Sequence, residues 1–151
     1  MSVLVVGGGG APMPTELIDR TKDVFPNSKY SFGYGYGLTE SGAITIINWG
    51  DELQKEPTSP GQPMPTIQIE LRNDSGAAIE KDNLEGEIYV KSPSVMLGYF
   101  NNPDASKASL TDDRWLRTGD WGFKNNSLYY ISSRRTDLIL RGAENCLLYT
   151  S

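Results

Sequence analysis

Histidine is missing from all 151 residues of this chain. Its absence removes Ser-His-Asp and Cys-His catalysis, imidazole-ligated zinc and histidine acid–base work from the available chemistry. Cysteine occurs once, at Cys146, which excludes a disulfide framework and any multi-cysteine metal site within these residues. Positive charge is also scarce: 14 Lys and Arg stand against 19 Asp and Glu, a net charge of −5. A phosphate backbone is neutralised by clustered cations, so no nucleic-acid partner is expected. Long apolar runs are lacking too. The opening run Val3-Leu4-Val5-Val6 has neither the basic flank nor the length of a signal peptide, and nothing approaches the roughly 18 apolar residues that span a bilayer. No membrane span is expected, and the setting read from the sequence is cytoplasmic. Asn73-Asp74-Ser75 and Asn125-Asn126-Ser127 are taken as chance matches to the glycosylation pattern.

What the chain has in quantity is punctuation. The 16 glycines and nine prolines amount to about one residue in six, which favours short strands and tight loops over a helical bundle. Residues 3–6 read as a buried strand running into Gly7-Gly8-Gly9-Gly10. A helix follows, with Leu17, Thr21, Val24 and Phe25 sharing one face; Pro14 or Thr15 opens it and Pro26-Asn27 stops it. Residues 30–34 are β-prone and enter a second glycine turn at positions 33–37, and residues 43–48 form another strand. This is α/β order, in which ligands sit at the carboxyl ends of strands. Residues 51–65 hold Pro57, Pro60, Pro63 and Pro65 and read as an irregular connection. Alternating Ile67, Ile69 and Leu71 then begin a run of short strands that continues at 87–91, 115–118 and 128–131, the pattern of a small antiparallel sheet or barrel. Asn102 caps a short helix starting at Pro103, and a last element covers 137–141.

Two familiar phosphate motifs fail on register. Gly7-x-Gly9 and Gly8-x-Gly10 meet Pro12 and Met13 where a dinucleotide fingerprint has its third small residue. Gly37 and Gly42 have P-loop spacing, but Ala43-Ile44 replaces the Lys and hydroxyl residue. Other elements remain. Gly10-Ala11-Pro12 offers small, flat backbone to a planar ring, and Tyr36-Gly37-Leu38-Thr39-Glu40 places an aromatic, a hydroxyl and a carboxylate on one turn. Asp120, read as ending a strand, can accept two hydrogen bonds from vicinal ribose hydroxyls. Arg134, with Arg135, Asp137 and Arg141, is a natural anion partner. Each also has an ordinary explanation: a β-turn with a surface Glu, a turn-capping Asp, a solvated charged loop.

In order and spacing these elements resemble the class I adenylate-forming (AMP-binding) enzymes, which include acyl-CoA synthetases, firefly-type luciferases and peptide-synthetase adenylation domains. The resemblance runs over about positions 3–145. It is carried by Gly8-Gly9-Gly10-Ala11-Pro12-Met13, Gly35-Tyr36-Gly37-Leu38-Thr39-Glu40, Gly86-Glu87-Ile88-Tyr89-Val90 and Val95-Met96-Leu97-Gly98-Tyr99-Phe100-Asn101-Asn102-Pro103, followed by the stretches around Asp120, Arg134 and Arg141-Gly142-Ala143-Glu144-Asn145. It implies that Gly10, Ala11 and Pro12 line an adenine slot and that Tyr36 contacts the ring. Thr39 would bond the α-phosphate, Glu40 would hold Mg²⁺, Asp120 would bind the ribose hydroxyls and Arg134 would contact the nucleotide. Gly35 and Gly37 would border a channel for a small-molecule carboxylic acid. Thr39, Glu40 and Arg134 are thus the catalytic candidates, and Tyr36, Thr39, Glu40 and Asp120 are expected around one cavity.

The implied reaction joins a carboxylate to AMP from ATP, releases pyrophosphate and passes the acyl group to CoA. Leu38 and the 141–145 stretch resemble acyl-CoA synthetases most. The implied fold is the end of a large α/β nucleotide-binding domain (1–50), a β-rich, barrel-like subdomain (51–135), and a hinge with the start of a C-terminal domain (136–151). Departures from the family pattern are Thr136 in the hinge motif, no upstream phosphate loop, and Cys146-Leu147-Leu148-Tyr149-Thr150-Ser151 in place of the usual continuation. They suggest a truncated fragment, inactive alone. The alternatives are a non-catalytic nucleotide-binding module and a piece of an amino-acid-activating domain.

Overall fold

Aromatic residues and glycines alternate along Phe32-Gly33-Tyr34-Gly35-Tyr36-Gly37, and a strand's period of two turns that alternation into two unlike faces. The computed structural model describes residues 3, 5–10, 14–28, 32–134, 138–141 and 144–147. In it the whole run is strand β2 (Phe32–Leu38), so the second glycine turn expected from the sequence is extended backbone, and the turn begins only at Thr39. Strand β1 (Val6–Gly9) likewise passes through the glycines that were expected to follow it, while Val3 and Val5 lie outside any strand and are exposed. Ladder hydrogen bonds need only N–H and C=O, so glycine pairs as well as valine where both neighbours supply them.

β1 and β2 are parallel, from Val6 beside Phe32 to Gly9 beside Gly35, and helix α1 (Thr15–Val24) makes the crossover between them. β3 (Ala43–Trp49) and the short β4 (Gln62–Pro63) complete a four-stranded sheet in the order β1-β2-β3-β4. On one face Phe32 and Tyr34 pack with Ile18 of α1 and with Leu53, and Val6 leans on the same cluster. The helix is where the periodicity put it, but the face is not. Ile18 is buried, whereas Leu17 and Val24 are 50% and 65% exposed. Leu53 belongs to α2 (Gly50–Lys55), a helix inside the stretch expected to be irregular. Asp51 and Glu52 in its first turn and Lys55 in its last match the helix dipole, and burying Leu53 is worth about 1.5–3 kcal/mol.

The second sheet is an antiparallel meander of β5 (Gln68–Arg72), β6 (Gly86–Lys91), β7 (Leu116–Asn125) and β8 (Leu128–Arg134). Its core is Leu71, Ile88, Val90, Val95 and Leu116. Helix α3 (Pro103–Ser109) is capped as expected, with Asn102 Oδ1 accepting from the Ala105 N–H at 3.0 Å. The predicted α/β class with a β-rich second part therefore describes the chain. A hairpin of β9 (Leu138–Arg141) and β10 (Glu144–Leu147) follows; Thr136 and Asp137 of the expected hinge lie outside the described residues. Asn73 is committed to a turn, its Oδ1 accepting from the N–H groups of Ser75 and Ala77, each at 3.0 Å.

The two sheets are clasped near Gly61. The Tyr129 N–H donates to the Gly61 carbonyl at 2.9 Å, and buried Ser59 donates through Oγ to the Tyr129 carbonyl at 2.5 Å. Asn48 of β3 holds that loop by donating from Nδ2 to the carbonyls of Glu56 and Ser59, at 3.1 and 3.0 Å. Among the described residues no helix is long and apolar enough to cross a membrane.

Candidate functional site

The chemistry-bearing residues gather at the carboxyl end of the parallel pair β1–β2, where open α/β sheets place their ligands. There Thr39, Glu40 and Ser41 form one turn of 3₁₀ helix that ends on Gly42 in the left-handed conformation, φ +81°. Ser41 is wholly buried and locks the turn: its Oγ accepts from the Leu38 N–H at 3.0 Å and donates back to the Leu38 carbonyl at 2.7 Å. A side chain on Gly42 would meet the Ser94 carbonyl, so glycine is required there for space as well as for φ. The turn therefore presents an exposed Thr39 and a half-buried Glu40 on a rigid base.

Around this turn the structure makes three groupings. The first is a groove of about 740 Å³, a size usual for small-molecule sites. Gly7 to Gly10 of the β1 region, Gly33, Gly35 and Gly37 of β2, and Thr39 line it, with Ile44, Ile47 and Trp49 of β3 as its apolar wall. The groove exists because β2 turns its glycines this way; a Cβ on Gly37 would strike the Ala43 carbonyl. Gly10 closes β1 with φ +79°. Ala11 and Pro12 lie outside the described residues.

The second grouping lies on the opposite side of β2. Tyr36 packs against the core of the second sheet, and its hydroxyl donates to Asp120 Oδ2 at 2.7 Å, across 84 residues of sequence. Asp120 does not end a strand. It lies inside the ten-residue β7, just before a bulge at Trp121 and Gly122, with its N–H donating to Thr118 Oγ1 at 3.1 Å. Gly119, at φ +74°, supplies the local bend that a sequence reading took for a strand end. Arg134 pairs with Asp120 along the β7–β8 ladder; its side chain lies outside the described part.

Glu40 belongs to the third. It faces a smaller cavity of about 260 Å³ with Tyr99, Arg117, Thr118 and Gly119, and Tyr99 donates its hydroxyl to Glu40 Oε1 at 2.7 Å. Tyr36, Thr39, Glu40 and Asp120 thus meet at one end of β2, but neither of these two cavities is lined by all four. The alternation of β2 sends Tyr36 to one face and the glycines to the other, and the Thr39–Glu40 turn stands between groove and cavity. Sequence reasoning assigned nothing to Ser41 or to the groove wall of Ile44, Ile47 and Trp49. A Ser two residues after Thr39 and just before a glycine was the available signal for the first; for the wall, the glycines on the paired strand were.

Known proteins are similar to this chain in sequence and in fold. The model of the AMP-binding enzyme family matches residues 1–100. The 2-succinylbenzoate–CoA ligase of Bacillus subtilis is 34% identical over 144 residues, 94% of this chain and 28% of that protein. A 4-coumarate–CoA ligase of Humulus lupulus is 34% identical over 143 residues, 91% of this chain and 26% of the relative. The solved structure of the Bacillus subtilis o-succinylbenzoate coenzyme A synthetase in complex with ATP and magnesium superposes with a TM-score of 0.74 at 34% identity, covering 93% of this chain and 28% of that one. This chain therefore spans little more than a quarter of the length of the relatives it matches. With the family model matching residues 1–100 of 151 and the same fold in a nucleotide-bound relative, the chain belongs to the AMP-binding family of adenylate-forming enzymes.

Proposed function

We propose that this chain is part of an ATP-dependent acyl-CoA ligase and contributes the strands and turn that hold the nucleotide. The observation that carries the proposal is the convergence at the end of β2: Thr39 and Glu40 on one locked turn, and Tyr36 hydrogen-bonded to Asp120 beside it. In this reading Gly10, Ala11 and Pro12 border the adenine slot and Tyr36 its ring. Thr39 donates to the α-phosphate, Asp120 accepts from the ribose hydroxyls, and Arg134 adds positive charge at the nucleotide. Gly35 and Gly37 leave the groove open for the acyl group.

Glu40 suits a magnesium ion delivered with ATP. Mg²⁺ usually takes one or two carboxylates, adds phosphate oxygens and keeps several waters. Among the described residues no group of three or more His, Cys, Asp and Glu side chains stands together; of the two carboxylates that line the smaller cavity, Glu87 is paired with Arg117, which leaves Glu40 for an ion carried by the nucleotide. The ion would supply charge neutralisation on the phosphates.

A carboxylate oxygen of the acid then attacks the α-phosphorus, and the bond to pyrophosphate breaks. In the second half the CoA sulfur attacks the acyl carbon, its proton is lost to solvent, and AMP leaves. Positioning and charge stabilisation do most of the work, which a chain without histidine can provide. The division at 1–50, 51–135 and 136–151, the cytoplasmic setting and the absence of catalysis by these 151 residues alone belong to the same proposal.

Calorimetric titration of ATP–Mg²⁺ into the chain tests it. A hydrogen bond to a charged group is worth roughly 1.5–3 kcal/mol, so Asp120→Ala is expected to weaken binding by about one to two decades. Equal affinity in wild type and Asp120→Ala would overturn the assignment.

A further inference from the structure

Residues 92–100 pass over the turn that carries Glu40 and bind it three times. Ser94 Oγ donates to the Ser41 carbonyl at 2.7 Å, the Met96 N–H donates to the Glu40 carbonyl at 2.8 Å, and the Tyr99 hydroxyl donates to Glu40 Oε1 at 2.7 Å. One strap thus fixes both the main chain and the carboxylate of Glu40. The strap is itself anchored at two points. Arg114 donates to the Met96 carbonyl at 2.8 Å, and the Tyr99 N–H donates to Ser106 Oγ of α3 at 2.8 Å. Burial does not force Tyr99 inward, for it remains 39% exposed. Leu97 and Phe100, on either side, are each 92% exposed, while Val95 is buried in the core of the second sheet, so the far half of the strap turns two apolar side chains out and its one phenol in.

We propose that Tyr99 is a positioning residue for Glu40: its hydroxyl holds Oε1 so that the remaining carboxylate lone pairs are presented to a nucleotide-borne Mg²⁺. The inference rests on the reading of Glu40 as the metal-side carboxylate. A free glutamate rotates about three side-chain torsions, and fixing one oxygen removes most of that search before the ion arrives. A neutral phenol does this without cancelling the charge the ion needs, as an Arg or Lys partner would. Hydrogen-bonding partners of ligating carboxylates commonly act this way, and losing one costs about 10–100-fold in metal affinity.

The test is an NMR titration of the ¹⁵N-labelled chain with AMP in the absence of metal, and with ATP over a range of Mg²⁺ concentrations. In Tyr99→Phe, AMP affinity should be unchanged while the Mg²⁺ concentration giving half-maximal ATP binding rises about ten-fold. Glu40→Gln should abolish the Mg²⁺ dependence, and the double variant should behave as Glu40→Gln alone. Tyr99→Phe with wild-type Mg²⁺ dependence would overturn the inference and leave the function standing. Equal loss of AMP and ATP–Mg²⁺ binding would also overturn it, by showing that Tyr99 only supports the fold. A Mg²⁺ dependence that survives Glu40→Gln would remove the role of Glu40, and that of Tyr99 with it.

Discussion

In the sheet β5–β8 the inner face is packed by large side chains: Leu71, Ile88, Val90 and Leu116 are all 4% exposed or less. Its outer face is covered as well. Arg72 lies 4.4 Å from the ring centre of Tyr89, Lys91 lies 5.5 Å from that of Trp115, and Arg72 and Arg117 pair with Glu70 and Glu87. The sheet β1–β4 has the same number of strands and an opposite use of them. One face is packed by Phe32 and Tyr34, but the other carries Gly33, Gly35 and Gly37 beside Ile44 at 47% and Trp49 at 60% exposure. One sheet is made stable by what its strands carry; the other is made receptive by what they omit.

The contrast can be broken most directly in the packed sheet. Ile88→Ala should cost about 2–5 kcal/mol in urea unfolding, because the cavity would open where exposure is 0%. Ile44→Ala on the groove wall should stay within about 1 kcal/mol of wild type. The reverse order would mean that the groove sheet, not the meander, carries the stability.

Glycine substitutions sharpen the comparison. At Gly37 an added Cβ meets the Ala43 carbonyl and Ile44 Cα, so Gly37→Ala should destabilise by about 1–3 kcal/mol. At Gly33 the nearest atoms to such a Cβ are 4.0 Å away, and Gly33→Ala should leave the thermal midpoint unaltered. Two glycines of one face would then be separated into one required by packing and one that only keeps the groove clear.

Alkali should act mainly on the meander. Burial, with a smaller contribution from Glu70, raises the Tyr129 phenol above its ordinary 10.0, and burial with Glu56 does the same at Tyr130. A phenol raised in the folded state stays neutral where the unfolded chain ionises. Its stabilising contribution is therefore complete below the unfolded value and is lost as pH climbs through the folded one. Thermal midpoints measured from about pH 8 to 11 should fall over the upper part of that range, and less steeply in Tyr129→Phe. A small effect is expected at Arg117, whose side chain is 49% exposed in its pair with Glu87. Arg117→Ala should cost no more than about 1 kcal/mol, and part of even that should vanish in high salt.

The meander was the more legible sheet for the same reason it is the one packed on its inner face by Leu71, Ile88, Val90 and Leu116. Ile67, Ile69 and Leu71 announce their face by alternation, and Asn102 before Pro103 announces its helix. The glycine sheet withholds that signal: β1 and β2 run through glycines whose side chains say nothing about direction, so both strands, and the turn, were placed too early in the chain. α2 was missed because six residues with one buried leucine show no period, and only the order of Asp51, Glu52 and Lys55 hinted at it. In α1 the period identified companions on a face but not the element that face would meet, and Ile18 met it alone. At the site, Thr39, Glu40 and Asp120 were visible because local sequence carries them. Tyr99 was quoted without a role, since its partner stands 59 residues away and distance in sequence hides such bonds.

The clasp at Gly61 has a mechanical consequence. Gly61 and Tyr129 join the sheets through backbone and Ser59 through its hydroxyl, and Tyr130 adds a bond to Glu56 at 3.0 Å from the neighbouring position. Levering Tyr36 away from Asp120 would strain that seam, whose polar groups are buried and have few solvent molecules to replace them. The two sheets are thus an anvil rather than a jaw. Tyr36 of β2 and Asp120 of β7, one on each sheet, are held together across that seam.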